Sequence, residues 1–162
     1  MRLENLKLFS LATLLFLLFS WSQSTFHWAT ESMVVAPSVT AMEIQDLLND
    51  EKNADQFVIV DVRSKAETDV SMIPGALTKS EFESTAQQHD GKTVIVYCTI
   101  GVRSGEYAAS LNEKGWDALN YEGSILDWCG NNFPLTLDGV QTNQVHTYSR
   151  WYSAPENYVA VY

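Results

Sequence analysis

Apolar residues fall along this chain in short runs and stripes of changing period. Phe57-Val58-Ile59-Val60-Asp61-Val62 and Thr93-Val94-Ile95-Val96-Tyr97 are β-branched runs with no in/out alternation. That is the pattern of strands covered on both faces. Around them the apolar positions take helical spacing. Thr40-Ala41-Met42-Glu43 reads as a capping box, and Met42, Ile44, Leu47 and Leu48 follow as the apolar stripe of a helix. Ile73-Pro74-Gly75-Ala76 is a turn, followed by a second helical pattern over Glu81 to Gln88. Asp90-Gly91 breaks the chain before the second strand. Arg103 to Lys114 carries a third helical pattern, with Ala108, Ala109 and Leu111 inward and Gly115 at the C-cap. Trp116 to Tyr121 predicts a last strand, and Glu122-Gly123-Ser124 turns into a short helix over Ile125 to Cys129. Strands alternating with helices predict an α/β domain, a parallel sheet with helices on both faces. In such sheets reactive groups sit at the carboxyl ends of strands.

The ends of the chain read differently. Leu8 to Phe19 is apolar except for Ser10 and Thr13, lies behind Arg2 and Lys7, and leads into Ser20-Trp21-Ser22-Gln23-Ser24. This hydrophobic segment predicts a secretory signal over residues 1–24, and with it export to a periplasm, a lumen or the exterior. Left uncleaved, residues 6–21 would anchor the protein to a membrane instead. Residues 25–37 read as a spacer, 38–135 as the α/β domain, and 136–162 as an extension containing Tyr148, Trp151, Tyr152, Tyr158 and Tyr162. The extension is expected to pack on the domain, with a partner-binding segment as the sharper alternative.

Composition narrows the chemistry. The 162 residues carry a formal charge of −10, and −11 beyond residue 24. No basic patch is left to neutralise phosphates, which argues against a nucleic-acid partner. The only cysteines, Cys98 and Cys129, are too few for a disulfide framework or a tetrahedral cysteine zinc site. His27, His89 and His146 show no ligand spacing, and no glycine-rich phosphate loop occurs, so neither metal nor cofactor is expected.

One cysteine stands where chemistry belongs. Cys98 follows the strand Thr93 to Tyr97 and opens the loop Cys98-Thr99-Ile100-Gly101-Val102-Arg103-Ser104, which runs into a helix. Backbone N–H groups and a helix N-terminus there lower a thiol's pKa and hold an anion. Gly101 permits a tight ring. Arg103 offers a planar fork for an oxyanion. Ser104 can cap the helix or donate to the sulfur.

With these residues in this order, the chain resembles the rhodanese (sulfurtransferase) family. Asp61-Val62-Arg63 with Glu67 is similar to that family's first-strand signature, and Ile73-Pro74-Gly75-Ala76 to its turn. Arg103-Ser104-Gly105, Gly115-Trp116, Tyr121 to Trp128 and Phe133-Pro134-Leu135 resemble its later elements, so the likeness runs from about Val39 to Leu135. Ser71-Met72 departs from it, standing where the family often has Gly-His. The resemblance implies a five-stranded parallel sheet. It implies that Cys98 takes sulfane sulfur from a small-molecule donor such as thiosulfate as a persulfide, then passes it to a thiophilic acceptor, either a small molecule or a protein. Related phosphatases use a loop one residue longer than the six of Cys98 to Arg103, so the length selects sulfur over phosphate. A non-enzymatic persulfide carrier or redox sensor, and phosphatase or arsenate reductase chemistry, are the alternatives. Asp61, Arg63 and Glu67 are expected to form a structural ion-pair set near the site. Glu122 to Ser124 should lie close by, Glu106 and Tyr107 could shape the mouth, and Cys129 reads as a packed thiol.

Overall fold

The computed structural model describes residues 35–53 and 55–162. The expected signal or anchor over residues 1–24, and most of the spacer, lie outside the described residues. Among the described residues, no helix is long and apolar enough to cross a membrane.

The first helix, α1, is Ala41–Asn49, and its capping box is formed: Thr40 accepts from the Glu43 N–H while Glu43 Oε2 takes the Thr40 N–H at 2.8 Å. Its inward stripe is Ala41 and Ile44 with Leu47 and Leu48, whereas Met42 points outward, 56% exposed. Four parallel strands follow: β1 Phe57–Asp61, β2 Leu77–Thr78, β3 Thr93–Tyr97 and β4 Asp117–Asn120. They lie in the order β2-β1-β3-β4, with Ile59 opposite Ile95 and Ile95 opposite Leu119. The sheet is thus four strands rather than the expected five. The fifth place is held by Ser38 alone, which bridges Asn120 in parallel. Pro37 O accepts from the Asn120 N–H at 2.8 Å and Ala36 is buried, so the last residues of the expected spacer already belong to the sheet edge.

Both faces of the sheet are covered, which explains the uninterrupted apolar runs. On one face Ile59, Ile95 and Tyr97 pack with Ile44 of α1 and with Ile125 and Trp128 of helix α5, Ser124–Gly130. On the other, Val58, Val60, Val94 and Val96 meet Phe82 of α3, Lys79–Thr85, and Ala108 and Leu111 of α4, Val102–Glu113. Each fully buried side chain of this kind contributes about 1.5–3 kcal/mol. The centre of the sheet therefore fixes the strand ends that carry the site. A short helix, α2 Lys65–Thr68, leaves the end of β1.

Beyond residue 135 the chain reaches back to the sheet, where Val145 joins the core cluster with Ala154 and Tyr158 packed against it. Leu135–Leu137 (β5) and Val140–Thr142 (β6) form a hairpin across Asp138-Gly139, both at positive φ. Such a two-residue turn matches the twist of the strands. Gln144–His146 (β7) then pairs in parallel with Val159–Val161 (β8), burying Val145 and Thr147. The Tyr158 hydroxyl donates to Phe133 O at 2.5 Å.

Candidate active site

Cys98 sits one residue past β3 and is almost wholly buried. Gly101, at φ +91, is the N-cap of α4 and turns the chain so that its N–H points back to Cys98 Sγ at 3.2 Å. A Cβ at Gly101 would overlap the Glu122 carbonyl, so the loop and the β4–α5 turn close against each other there. Ser104 lies in the first turn of α4 and its Oγ reaches Cys98 Sγ at 3.6 Å. Burial pushes the Cys98 thiol up, but the Ser104 hydroxyl and N–H, with the N–H groups of Ile100 and Gly101, pull it below its ordinary value. The ring of donors expected from the sequence is therefore present.

The carbonyl side of the loop is held as well. Cys98 O and Thr99 O accept from the Ile125 and Leu126 N–H groups at 3.2 and 3.5 Å, taking up donors at the start of α5 that a helix leaves free. Ser124, at φ +53, receives the Cys98 N–H on its Oγ at 3.1 Å. Its single hydroxyl proton goes to Tyr121 O at 2.8 Å rather than to Cys98 Sγ at 3.8 Å. Ser124 thus positions the loop backbone and leaves the sulfur to Ser104 and the N–H groups of Ile100 and Gly101.

The acidic partner of the loop is Glu67. Arg103 donates through Nη1 and Nη2 to its two carboxylate oxygens at 2.9 and 2.7 Å. Thr99 Oγ1 donates to Glu67 Oε1 at 2.9 Å, and the Ser64 N–H and hydroxyl take Oε2 at 2.9 and 2.8 Å. Burial works against this carboxylate's charge, but Arg103 first, then Ser64 and Thr99, hold it well below the usual range. Two expectations change. Arg103 is not a free oxyanion fork, because Glu67 occupies it. The set Asp61, Arg63, Glu67 also divides. Arg63 pairs with Asp61 at 2.7 Å, both side chains fully buried, and donates to Ser71 O at 2.6 Å. That pair is structural, while Glu67 belongs to the loop.

The structure brings together Cys98, Thr99, Ile100, Gly101, Val102, Arg103 and Ser104 with Glu67 and Ser124. It does not bring Tyr107 or Cys129 to the mouth. The Tyr107 hydroxyl donates to Glu83 on α3 and Lys79 lies over its ring, and Glu106 is exposed. Cys129 is fully enclosed, its thiol pushed up to about 12 by burial. Two residues were missed by sequence reasoning. A cavity of about 190 Å³ opens on Cys98, lined by Thr99, Ile100, Val102, Arg103, Tyr148 and Tyr152. The Arg103 guanidinium lies 5.1 Å from the centre of the Tyr148 ring. No local signal in the extension points to that contact. A larger groove of about 760 Å³, beside Arg63, Met72 and Thr136, touches none of the loop residues. The smaller cavity is the one that opens on Cys98, whose thiol is held below its ordinary value.

The fold and this cysteine loop define a class, the small parallel α/β domains that carry a cysteine loop at a strand end. The rhodanese-like domain family matches residues 40–131, more than half of the chain, and the protein belongs to that family. A protein named "Sulfurtransferase" from Allochromatium vinosum is 29% identical over 87 residues, covering 51% of this chain and 81% of its own. "Probable adenylyltransferase/sulfurtransferase MoeZ" of Mycobacterium tuberculosis is 32% identical over 97 residues, 56% of this chain, which spans only 24% of that relative's length. Among solved structures, a rhodanese-related protein from Thermoplasma volcanium aligns at TM-score 0.52 with 23% identity, covering 63% of this chain and 99% of its own, a likeness of fold.

Proposed function

We propose that the protein moves a sulfane sulfur from a small donor to a thiophilic acceptor through a persulfide on Cys98. The observation that carries this is a buried thiol held below its ordinary pKa by Gly101 and Ser104 at the mouth of a small cavity. The Cys98 thiolate attacks the donor's outer sulfur. A new S–S bond forms, the donor's own S–S bond breaks, and the electron pair leaves with the donor fragment. The same N–H and hydroxyl donors then face the persulfide, and a thiophile such as cyanide removes its outer sulfur and restores the thiolate. Glu67 keeps Arg103 and Thr99 in place, so it acts on the loop rather than on the sulfur. The test is thiocyanate formation by the full chain from thiosulfate and cyanide, with intact-mass measurement of a one-sulfur gain. Cys98→Ser is expected to lose both, and thiocyanate formation that survives it would overturn the proposal.

A further inference from the structure

We propose that Tyr148 and Tyr152 make the Cys98 cavity select an organic sulfur donor, one bearing its sulfane sulfur on a small aryl or alkyl group, over inorganic thiosulfate. The inference rests on the sulfur-transfer reading and names its donor class. Three observations carry it. The first is size. At about 190 Å³ the cavity has room for more than a sulfur atom, and an engineered apolar cavity of about 150 Å³ takes up benzene.

The second is the character of the wall. Ile100, Val102, Tyr148 and Tyr152 line the cavity, a partly exposed rim of apolar and aromatic side chains. Two of the polar side chains of the lining are already engaged: Thr99 Oγ1 donates to Glu67 and Arg103 is forked on the same carboxylate. Flat aromatic walls favour ring-bearing or alkyl ligands by stacking and burial.

The third is charge. Among the described residues, Arg103 is the only cation lining the cavity, and Glu67 pairs with it at 2.7 Å. The whole chain carries −10. A thiosulfate dianion finds no unpaired positive charge there, whereas an aryl thiosulfonate brings one negative charge and an apolar body.

The wall is built into the fold. The Tyr148 N–H donates to His146 Nδ1 at 3.0 Å at the end of β7, and the Thr147 N–H donates to Val161 O at 2.9 Å on β8. The Tyr152 N–H donates to Ser149 O at 3.1 Å, and the face of Tyr148 is set by the Arg103 guanidinium.

The balanced step uses benzenethiosulfonate as probe. Cys98 thiolate attacks its terminal sulfur, the Cys98 S–S bond forms, and the bond from that sulfur to the sulfonyl sulfur breaks. Benzenesulfinate leaves with the electron pair, so charge is conserved and no further oxidant or reductant takes part. The experiment measures single-turnover loading of Cys98 by intact mass against the concentration of benzenethiosulfonate and of thiosulfate. It uses the full chain and its Tyr148→Ala, Tyr152→Ala, Tyr148→Phe and Tyr152→Phe variants.

Half-saturation at a tenfold or lower concentration of benzenethiosulfonate is expected for the wild type. The alanine variants should shrink that preference at least fivefold, and the phenylalanine variants should keep it. Equal half-saturation by the two donors, or an equal loss for both in the alanine variants, overturns the inference. So does linear, non-saturating loading by both, the behaviour of a site that waits for a protein donor. Loading by neither donor, while iodoacetamide still modifies Cys98, removes the sulfur-transfer reading itself.

Discussion

Glu67→Gln isolates the charge that holds the loop. The side chain keeps its shape, but one carboxylate oxygen becomes an amide. Glu67 now accepts from Ser64 N–H, Ser64 Oγ, Thr99 Oγ1 and both Arg103 Nη atoms. Either amide orientation turns an –NH₂ group onto an Arg103 N–H, so the fork loses at least half its bonding. Removing one partner of a buried pair costs about 3–5 kcal/mol. Arg103 keeps 35% of its side chain exposed and regains water, while Glu67 is 3% exposed. The discounted loss is about 2–3 kcal/mol. A melting point lower by roughly 6–12 °C follows for a domain of this size. The pH dependence identifies the cause. The carboxyl's pKa is lowered on folding, so its contribution is complete above the unfolded value of about 4.3 and lost as pH falls toward the folded value. Glutamine does not titrate. The difference between wild type and variant should therefore shrink below about pH 4.3, by up to about 1.4 kcal/mol per pH unit. Urea unfolding of both proteins at about pH 7, 4 and 3, followed by tryptophan fluorescence, measures it. A difference that stays constant across that range would refute the argument, since packing alone would then explain the loss.

Two further outcomes follow from the loop. Gly101→Ala places a Cβ against the Glu122 backbone at a φ of +91. It should cost about 2–4 kcal/mol in thermal unfolding and abolish sulfur loading, and wild-type stability would show that the loop is not clamped there. Ser104→Ala removes the hydroxyl that does most to lower the Cys98 pKa. The midpoint of the pH profile of Cys98 alkylation by iodoacetamide should move up, and a midpoint that stays or falls would contradict the assignment. Cys129 should stay unmodified in the native protein throughout.

Much of the fold is legible because its strands are buried on both faces. Val58 to Val60 and Val94 to Val96 announce a covered parallel sheet without any long-range information. The fifth strand is different. Ser38 joins the sheet through a single bridge, and Ala36-Pro37-Ser38-Val39 carries too little apolar length to signal it. Met42 misleads because helical spacing alone does not tell which side of a stripe faces inward. Asp138-Gly139 between Leu137 and Val140 is a hairpin signal that the sequence does carry. At the site, Cys98, Gly101 and Ser104 were readable because their roles are local. Ser64-Lys65-Ala66-Glu67 carried a capping pattern that would have separated Glu67 from Arg63. Its bond to Arg103 spans 36 positions, and charge alone does not choose between two arginines. The arrival of Tyr148 at Arg103 depends on β7 pairing with β8, which no short window contains.

The Cys98 loop lies inside residues 40–131, and two of the side chains that line its cavity, Tyr148 and Tyr152, lie beyond them. Reactivity and choice of substrate are therefore written in separate stretches of one chain. Selection can alter the second without disturbing the donors around the sulfur. Two descendants of such a protein could keep an identical loop and diverge in diet through changes at a few aromatic positions near the far end.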